Sequence, residues 1–187
     1  MDIRDAFFGE LYKAAQTDKN IIILTCDMGA YALEDFKKEY PSQYYNIGIM
    51  EQSSINVAAG LTLMGFKVFV YGIAAFMIYR CLEQIKLNLS DMELPITIIG
   101  SGPGLSYKAD GPTHHAIYDI PIMRSIPHIM IITPTNADEA MEAAQIALKT
   151  QKAIYIRLGK SSYPHKYGGY IDNYYEQPFI QTHLGDY

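Results

Sequence analysis

Apolar residues in the first part of the chain recur with two different periods. Over residues 3–17 (IRDAFFGELYKAAQT) they fall at helical spacing, and over residues 21–26 (IIILTC) they run without a break. An unbroken, β-branched run of that kind is expected of a strand covered on both faces. The alternation then continues along the chain. Helices are expected at 32–39, 51–64, 74–89 and 136–149, and a short one precedes the fifth strand. Strands are expected at 45–49, 66–71 (FKVFVY), 95–99 (PITII), 129–133 and 153–157. Strands that alternate with helices predict an α/β fold, a parallel sheet with helices on both faces. Ligands of such sheets sit at the carboxyl ends of the strands. The informative loops all fall there. CDMGAY follows the first strand, Glu51 the second, GIAAF the third, and a long glycine-bearing loop, 100–117, the fourth. No internal repeat and no charge run interrupts the pattern.

Composition narrows the class. The 187 residues are 49% hydrophobic and 19% charged, which fits one globular domain with a sizeable core, placed over residues 1–160. A net charge of −5 argues against a nucleic-acid partner. The two cysteines, Cys26 and Cys81, lie in apolar segments without metal-ligand spacing, as reduced core thiols do. The first ten residues lack the basic and apolar regions of a signal peptide, and no apolar run reaches the length of a membrane span. A cytoplasmic protein with no membrane partner is expected. Beyond Pro164 the sequence is tyrosine-rich and weakly periodic, so 161–187 is expected to be a linker toward a further domain.

Three features could carry chemistry. Glu51 stands where the apolar stretch Ile47–Met50 hands over to a helix of small residues. A carboxylate in a first helical turn is ordinary, because the helix dipole favours it. Its apolar setting is the argument for function, since burying a carboxylate is costly without a partner. Phe76 and Tyr79 lie one helical turn apart. Such a pair is usually core, but at a strand's carboxyl end it could stack on a flat heteroaromatic ring. In the long loop, Gly100, Gly102 and Gly104 match neither a P-loop nor a dinucleotide fingerprint. The segment ADGPTHH is more pointed. It brings Asp110 and His114 onto one constrained turn, where an imidazole can donate to substrate oxygens or move protons, or simply serve as a polar loop residue. His128, His165 and His183 read as surface or linker histidines.

NIGIMEQ, AAFMIYRCLEQIK and ADGPTHHAIYDIPIMRSIPHIMIITPTNADEA, in this order, resemble the pyrimidine-binding domain of transketolase-like, thiamine diphosphate-dependent enzymes. The resemblance covers about residues 1–160. It implies roles for particular residues. Glu51 takes the place of the cofactor-activating glutamate, which hydrogen-bonds a ring nitrogen of the aminopyrimidine and favours the imino form that deprotonates the thiazolium carbon. The resulting carbanion attacks a ketose carbonyl. Phe76 matches the aromatic stacked on the aminopyrimidine, and Tyr79 the aromatic one turn on. Asp27 matches an aspartate lining the cofactor site. His114 matches the histidine near the reacting carbonyl, Asp110 a carboxylate that reads a substrate hydroxyl, and Arg157 an arginine for the substrate phosphate.

Departures from the family pattern shape the expectation. Gly102 stands where transketolases of sugar phosphate metabolism usually have a histidine, and Ile73 where an aromatic is usual. The family binds the diphosphate and its Mg2+ on a separate domain marked by Gly-Asp-Gly, which is absent from this sequence. The resemblance therefore implies one subunit of a split transketolase, or a fragment of a longer subunit that stops before the family's last domain, with no metal ligands of its own. The expected partners are a diphosphate-binding subunit, a second copy of the pyrimidine domain, and a sugar or sugar phosphate substrate. A deoxyxylulose phosphate synthase-like subunit, a 2-oxoacid dehydrogenase beta-like subunit and a non-catalytic subunit are the competing expectations. A nicotinamide-binding protein has only the fold class in its favour.

Overall fold

Six strands, β1 (Ile21–Thr25), β2 (Tyr44–Asn46), β3 (Lys67–Ile73), β4 (Thr97–Ser101), β5 (Ile129–Ile132) and β6 (Ala153–Leu158), pair in parallel in one sheet. Their order is β2-β1-β3-β4-β6-β5. This is a computed structural model, and it describes residues 2–159. The expected linker, with His165 and His183, lies outside the described residues.

Strands β1 and β4 are buried along their whole length, as continuous apolar runs require. Period two still governs which layer each residue joins. Ile21, Ile23, Phe69, Tyr71, Ile99, Ile154 and Ile156 face one cluster with α1 (Ile3–Ala15), α2 (Tyr31–Glu39) and α7 (Ala137–Lys149). Ile22, Leu24, Val68, Val70, Ile96 and Ile98 face a second cluster with α3 (Glu51–Leu63), α4 (Ala74–Tyr79) and α6 (Asp119–Arg124). The sheet is thus covered on both faces, as expected. Helix ends are set locally. Asp2 caps α1 by accepting from the Arg4 amide at 2.8 Å, and Asn136 caps α7 by accepting from the Glu139 amide at 3.0 Å.

Two elements differ from expectation. The second strand ends at Asn46 rather than 49 and is an edge strand with Tyr45 and Asn46 exposed. The chain turns at Gly48, whose φ is +79° and whose amide donates to Asn46 Oδ1 at 2.9 Å. Ile49 and Met50 then stand 69% and 54% exposed, so the approach to Glu51 is apolar but uncovered on the isolated chain. The helix expected over 74–89 is broken after Tyr79. The Cys81 thiol donates to the Phe76 carbonyl at 3.7 Å at the break. A short turn, α5 (Leu82–Gln84), follows and widens into a π-helical stretch, Ile85–Asp91.

Chain order reverses direction across β1. From β1 the chain moves outward to β2, then crosses back to β3 on the other side. The loops after β1 and β3 therefore diverge and leave a crevice above their carboxyl ends, where an open α/β sheet takes ligands.

Candidate active site

Glu51 is the first residue of α3 and is 3% exposed. The small residues that follow place it there. Ser54, Ala58 and Ala59 lie flat on the sheet and let the helix approach closely. Ser54 donates to the Glu51 carbonyl at 2.6 Å and accepts from the Cys26 thiol at 3.3 Å. Cys26 and Cys81 line the apolar side. Burial first, and then the Glu51 carboxylate, push the Cys81 thiol up to about 12. Burial likewise pushes Cys26 up to about 11, against the Ser54 hydroxyl, which lowers it. Both thiols stay protonated beside the carboxylate.

The open side of Glu51 is taken by Arg80. Its Nη1 donates to Glu51 Oε2 at 3.2 Å, and its guanidinium carbon lies 4.3 Å from the centre of the Phe76 ring. The Arg80 carbonyl accepts from Gln52 Nε2 at 2.8 Å, which ties the broken helix to α3. The His114 ring meets Phe76 edge-on with centroids 4.8 Å apart. Carboxylate, guanidinium, phenyl ring and imidazole thus form one continuous row. The structure brings together Glu51, Phe76 and His114, three of the residues named from sequence.

The long loop delivers His114 through a pinched base. Gly104 and Ala116 exchange backbone hydrogen bonds of 3.0 and 2.9 Å, and Ala116 is buried against Ala74 and Ala75. Between them lie two 3-10 turns, Lys108–Asp110 and Pro112–His114, joined by Gly111 at φ +84°. The Tyr79 hydroxyl donates to the His115 carbonyl at 3.2 Å and accepts from the Tyr118 amide at 2.9 Å. Tyr79 therefore fastens the loop to α4. His114 Nδ1 lies 3.0 Å from Thr113 Oγ1. Asp110 is exposed on the loop.

The remaining sequence candidates stand further out. Asp27 is exposed and left-handed at φ +52°, held by its amide donating to Asn46 Oδ1 at 3.1 Å. Arg157 is paired. Its Nε and Nη2 donate to Asp119 at 2.7 and 3.2 Å, and Tyr155 donates to the same carboxylate at 2.7 Å. A side chain at Gly102 would be strained and would displace the Tyr107 ring, because the φ of Gly102 is +71° and a Cβ would lie 2.0 Å from Tyr107 Cε2. The Tyr107 ring fills that position, 5.9 Å from the His114 ring. His128 is exposed, away from this row.

Sequence reasoning passed over Arg80, Asn46 and Tyr107. Arg80 had a signal, an aromatic and a cation four residues apart on one helical face. Asn46 and Tyr107 act across turns and had none. Among the described residues no group of three or more His, Cys, Asp or Glu side chains could hold a metal ion.

Comparison with known proteins gives the class. Residues 1–166 match the family described as transketolase, pyrimidine binding domain. The chain belongs to that family. It is 36% identical over 165 residues to an apulose-4-phosphate transketolase subunit of Phocaeicola vulgatus, covering 88% of this chain and 53% of that protein. It is 32% identical over 157 residues to 6-deoxy-6-sulfo-D-fructose transketolase subunit SqwH of a Clostridium species, covering 83% of this chain and 49% of that one. A solved structure described as a split gene transketolase, an inactive beta4 tetramer, superposes with a TM-score of 0.78 at 28% identity, over 90% of this chain and 54% of that chain. The chain thus spans about half the length of each of these three proteins. No helix among the described residues is long and apolar enough to cross a membrane.

Proposed function

We propose that this chain supplies the pyrimidine-binding half of the active site of a cytoplasmic split transketolase, which moves a two-carbon ketol unit between sugars. The observation that carries this reading is the slot between Glu51 and Phe76. A planar group that donates N–H to the carboxylate while lying on the ring fits there, because the Arg80 guanidinium does both at once. An aminopyrimidine ring makes the same two demands. Thiamine diphosphate, when bound, supplies the electron sink for making and breaking a carbon–carbon bond beside a carbonyl.

The chain's residues act around that ring. Glu51 accepts a hydrogen bond from a ring nitrogen in an apolar setting, where the bond is stronger than in water. Phe76 supports the face of the ring. His114, held against Phe76 by the pinched loop, donates to a substrate oxygen near the reacting carbonyl. Tyr79 borders the ring site through the loop it fastens. Asp27 lines the cofactor side, and Asp110 reads a substrate hydroxyl. Arg157 has two nitrogens on Asp119, so Nη1 is the atom left for a substrate phosphate. With Tyr107 over Gly102 and its hydroxyl on Ser101 Oγ at 3.3 Å, that wall of the site is closed by an aromatic ring where the usual histidine is missing. This favours a sugar other than the standard pentose phosphates.

A partner subunit binds the diphosphate and Mg2+ in this reading. Two relatives support the existence of a partner chain by name, since one is a subunit of an apulose-4-phosphate transketolase and the other a subunit of a 6-deoxy-6-sulfo-D-fructose transketolase. Self-association uses the outer side of α3 and the turn before it. Ile49 and Met50 before the helix, Val57 midway and Leu63 and Met64 at its end stand 42–75% exposed, apolar positions spread along α3 that suit a second copy of the domain.

The test is Glu51→Gln in the enzyme reconstituted with its partner. Turnover of ketose donors should fall about 10²- to 10³-fold, the usual effect of losing one group that strengthens at the transition state. Far-UV circular dichroism should not change. Turnover near that of the natural chain would remove the cofactor-activating role. Pyruvate in place of a ketose as the productive donor would redirect the activity to another enzyme of the same scaffold.

A further inference from the structure

We propose that Arg80 is a built-in placeholder for the pyrimidine ring: its guanidinium occupies the slot between Glu51 and Phe76 and must swing out when the ring enters. The inference rests on the proposed use of that slot and goes beyond it.

Three observations carry it. First, Arg80 makes both contacts that a flat N–H donor needs, an N–H on Glu51 Oε2 at 3.2 Å and a position 4.3 Å over the Phe76 ring. A guanidinium is planar, cationic and a good stacking group, so it imitates the flat N–H-bearing edge of a protonated aminopyrimidine. The two cannot use the same carboxylate oxygen and ring face together. Second, the placeholder has somewhere to go. Its side chain is 44% exposed, whereas that of Glu51 is 4% exposed, so Arg80 can leave for water while Glu51 stays in place. Third, its backbone is fixed. Gln52 holds the Arg80 carbonyl at 2.8 Å, so only the side chain need move. While in place, the guanidinium satisfies a buried carboxylate that would otherwise lack a charged partner. The slot is thereby kept formed before the ring arrives.

A pyrimidine without a diphosphate tests this on the full chain, because it does not call on the partner's metal site. The probe is 4-amino-5-hydroxymethyl-2-methylpyrimidine, titrated to millimolar concentration and followed by NMR. Binding should move the Arg80 Nε–H resonance to that of a solvent-exposed arginine. Arg80→Ala should bind the probe about three- to ten-fold more tightly, the gain expected when a half-exposed ion pair and cation–π contact need not be broken, and Arg80→Lys, which keeps the cation but loses the planar guanidinium, should gain less. Thermal unfolding checks that both variants fold.

Equal affinity in the natural chain and both variants would overturn the placeholder and leave the slot intact, provided that Phe76→Ala abolishes binding. Weaker binding by Arg80→Ala would also overturn it and make Arg80 part of the ring's own site. No binding to any of the three chains would overturn the slot itself, and the proposed function with it.

Discussion

Glu51 is dry because its neighbours are small or neutral. Ser54, Ala58 and Ala59 let α3 lie close on the sheet, and Cys26 and Cys81 close the apolar side. The thiols give a prediction in pH. Both are raised in the fold, from an ordinary 9.0 to about 11 for Cys26 and about 12 for Cys81. The folded chain thus keeps protons that the unfolded chain releases above pH 9. Their full contribution to stability is present below that pH and is lost as pH rises toward the folded values. The urea midpoint should therefore fall between pH 9 and 11, and a Cys26→Ala/Cys81→Ala variant should fall less steeply. Equal slopes in the two proteins would show that these thiols ionise freely. At this scale the sequence was partly legible. Glu51, Phe76 and His114 sit in patterned segments, and the structure gathers them. Gly102 signalled a departure, but its cause, the Tyr107 ring across a turn, depends on a left-handed backbone that no spacing reveals.

Elements were legible where one period dominates. Continuous β-branched runs produced β1, β4 and β6 close to their expected limits, and an asparagine cap with an acidic first turn began α7. Two boundaries were hidden. The apolar residues after β2 belong to a turn, because Gly48 leaves the extended region and Asn46 holds it there. The helix after β3 breaks although its apolar spacing continues, and the π-helical stretch beyond it shifts the register. The end of the long loop depends on a buried charge that had no sequence signature. Asp119, at the start of α6, is 1% exposed and takes hydrogen bonds from Arg157, Tyr155 and the Ile120 amide. Burial, and then Asp119 itself, hold the Tyr155 phenol well above its ordinary value, so it stays a donor. Asp119→Ala would strand the guanidinium and the phenol together. Stability should drop by about 3–5 kcal/mol, against about 1 kcal/mol for Tyr155→Phe. Denaturant unfolding of the two variants checks this, and similar losses from both would contradict the account.

The whole molecule offers one wall of a site. The row of carboxylate, guanidinium, ring and imidazole opens at the carboxyl edge of the sheet, and the described residues gather no metal ligands beside it. Parallel order and helices on both faces followed from the alternation of elements. The exposed apolar turn at Ile49 and Met50 did not, because the apolar run there reads as the end of a strand. The central claim is that the cofactor site is shared between this chain and a diphosphate-binding partner. Calorimetric titration of thiamine diphosphate with Mg2+ tests it most directly, first on this chain alone and then on its mixture with that partner. The account predicts heat of binding in the mixture and little or none with the chain alone. Tight, Mg2+-dependent binding by this chain without a partner would contradict it.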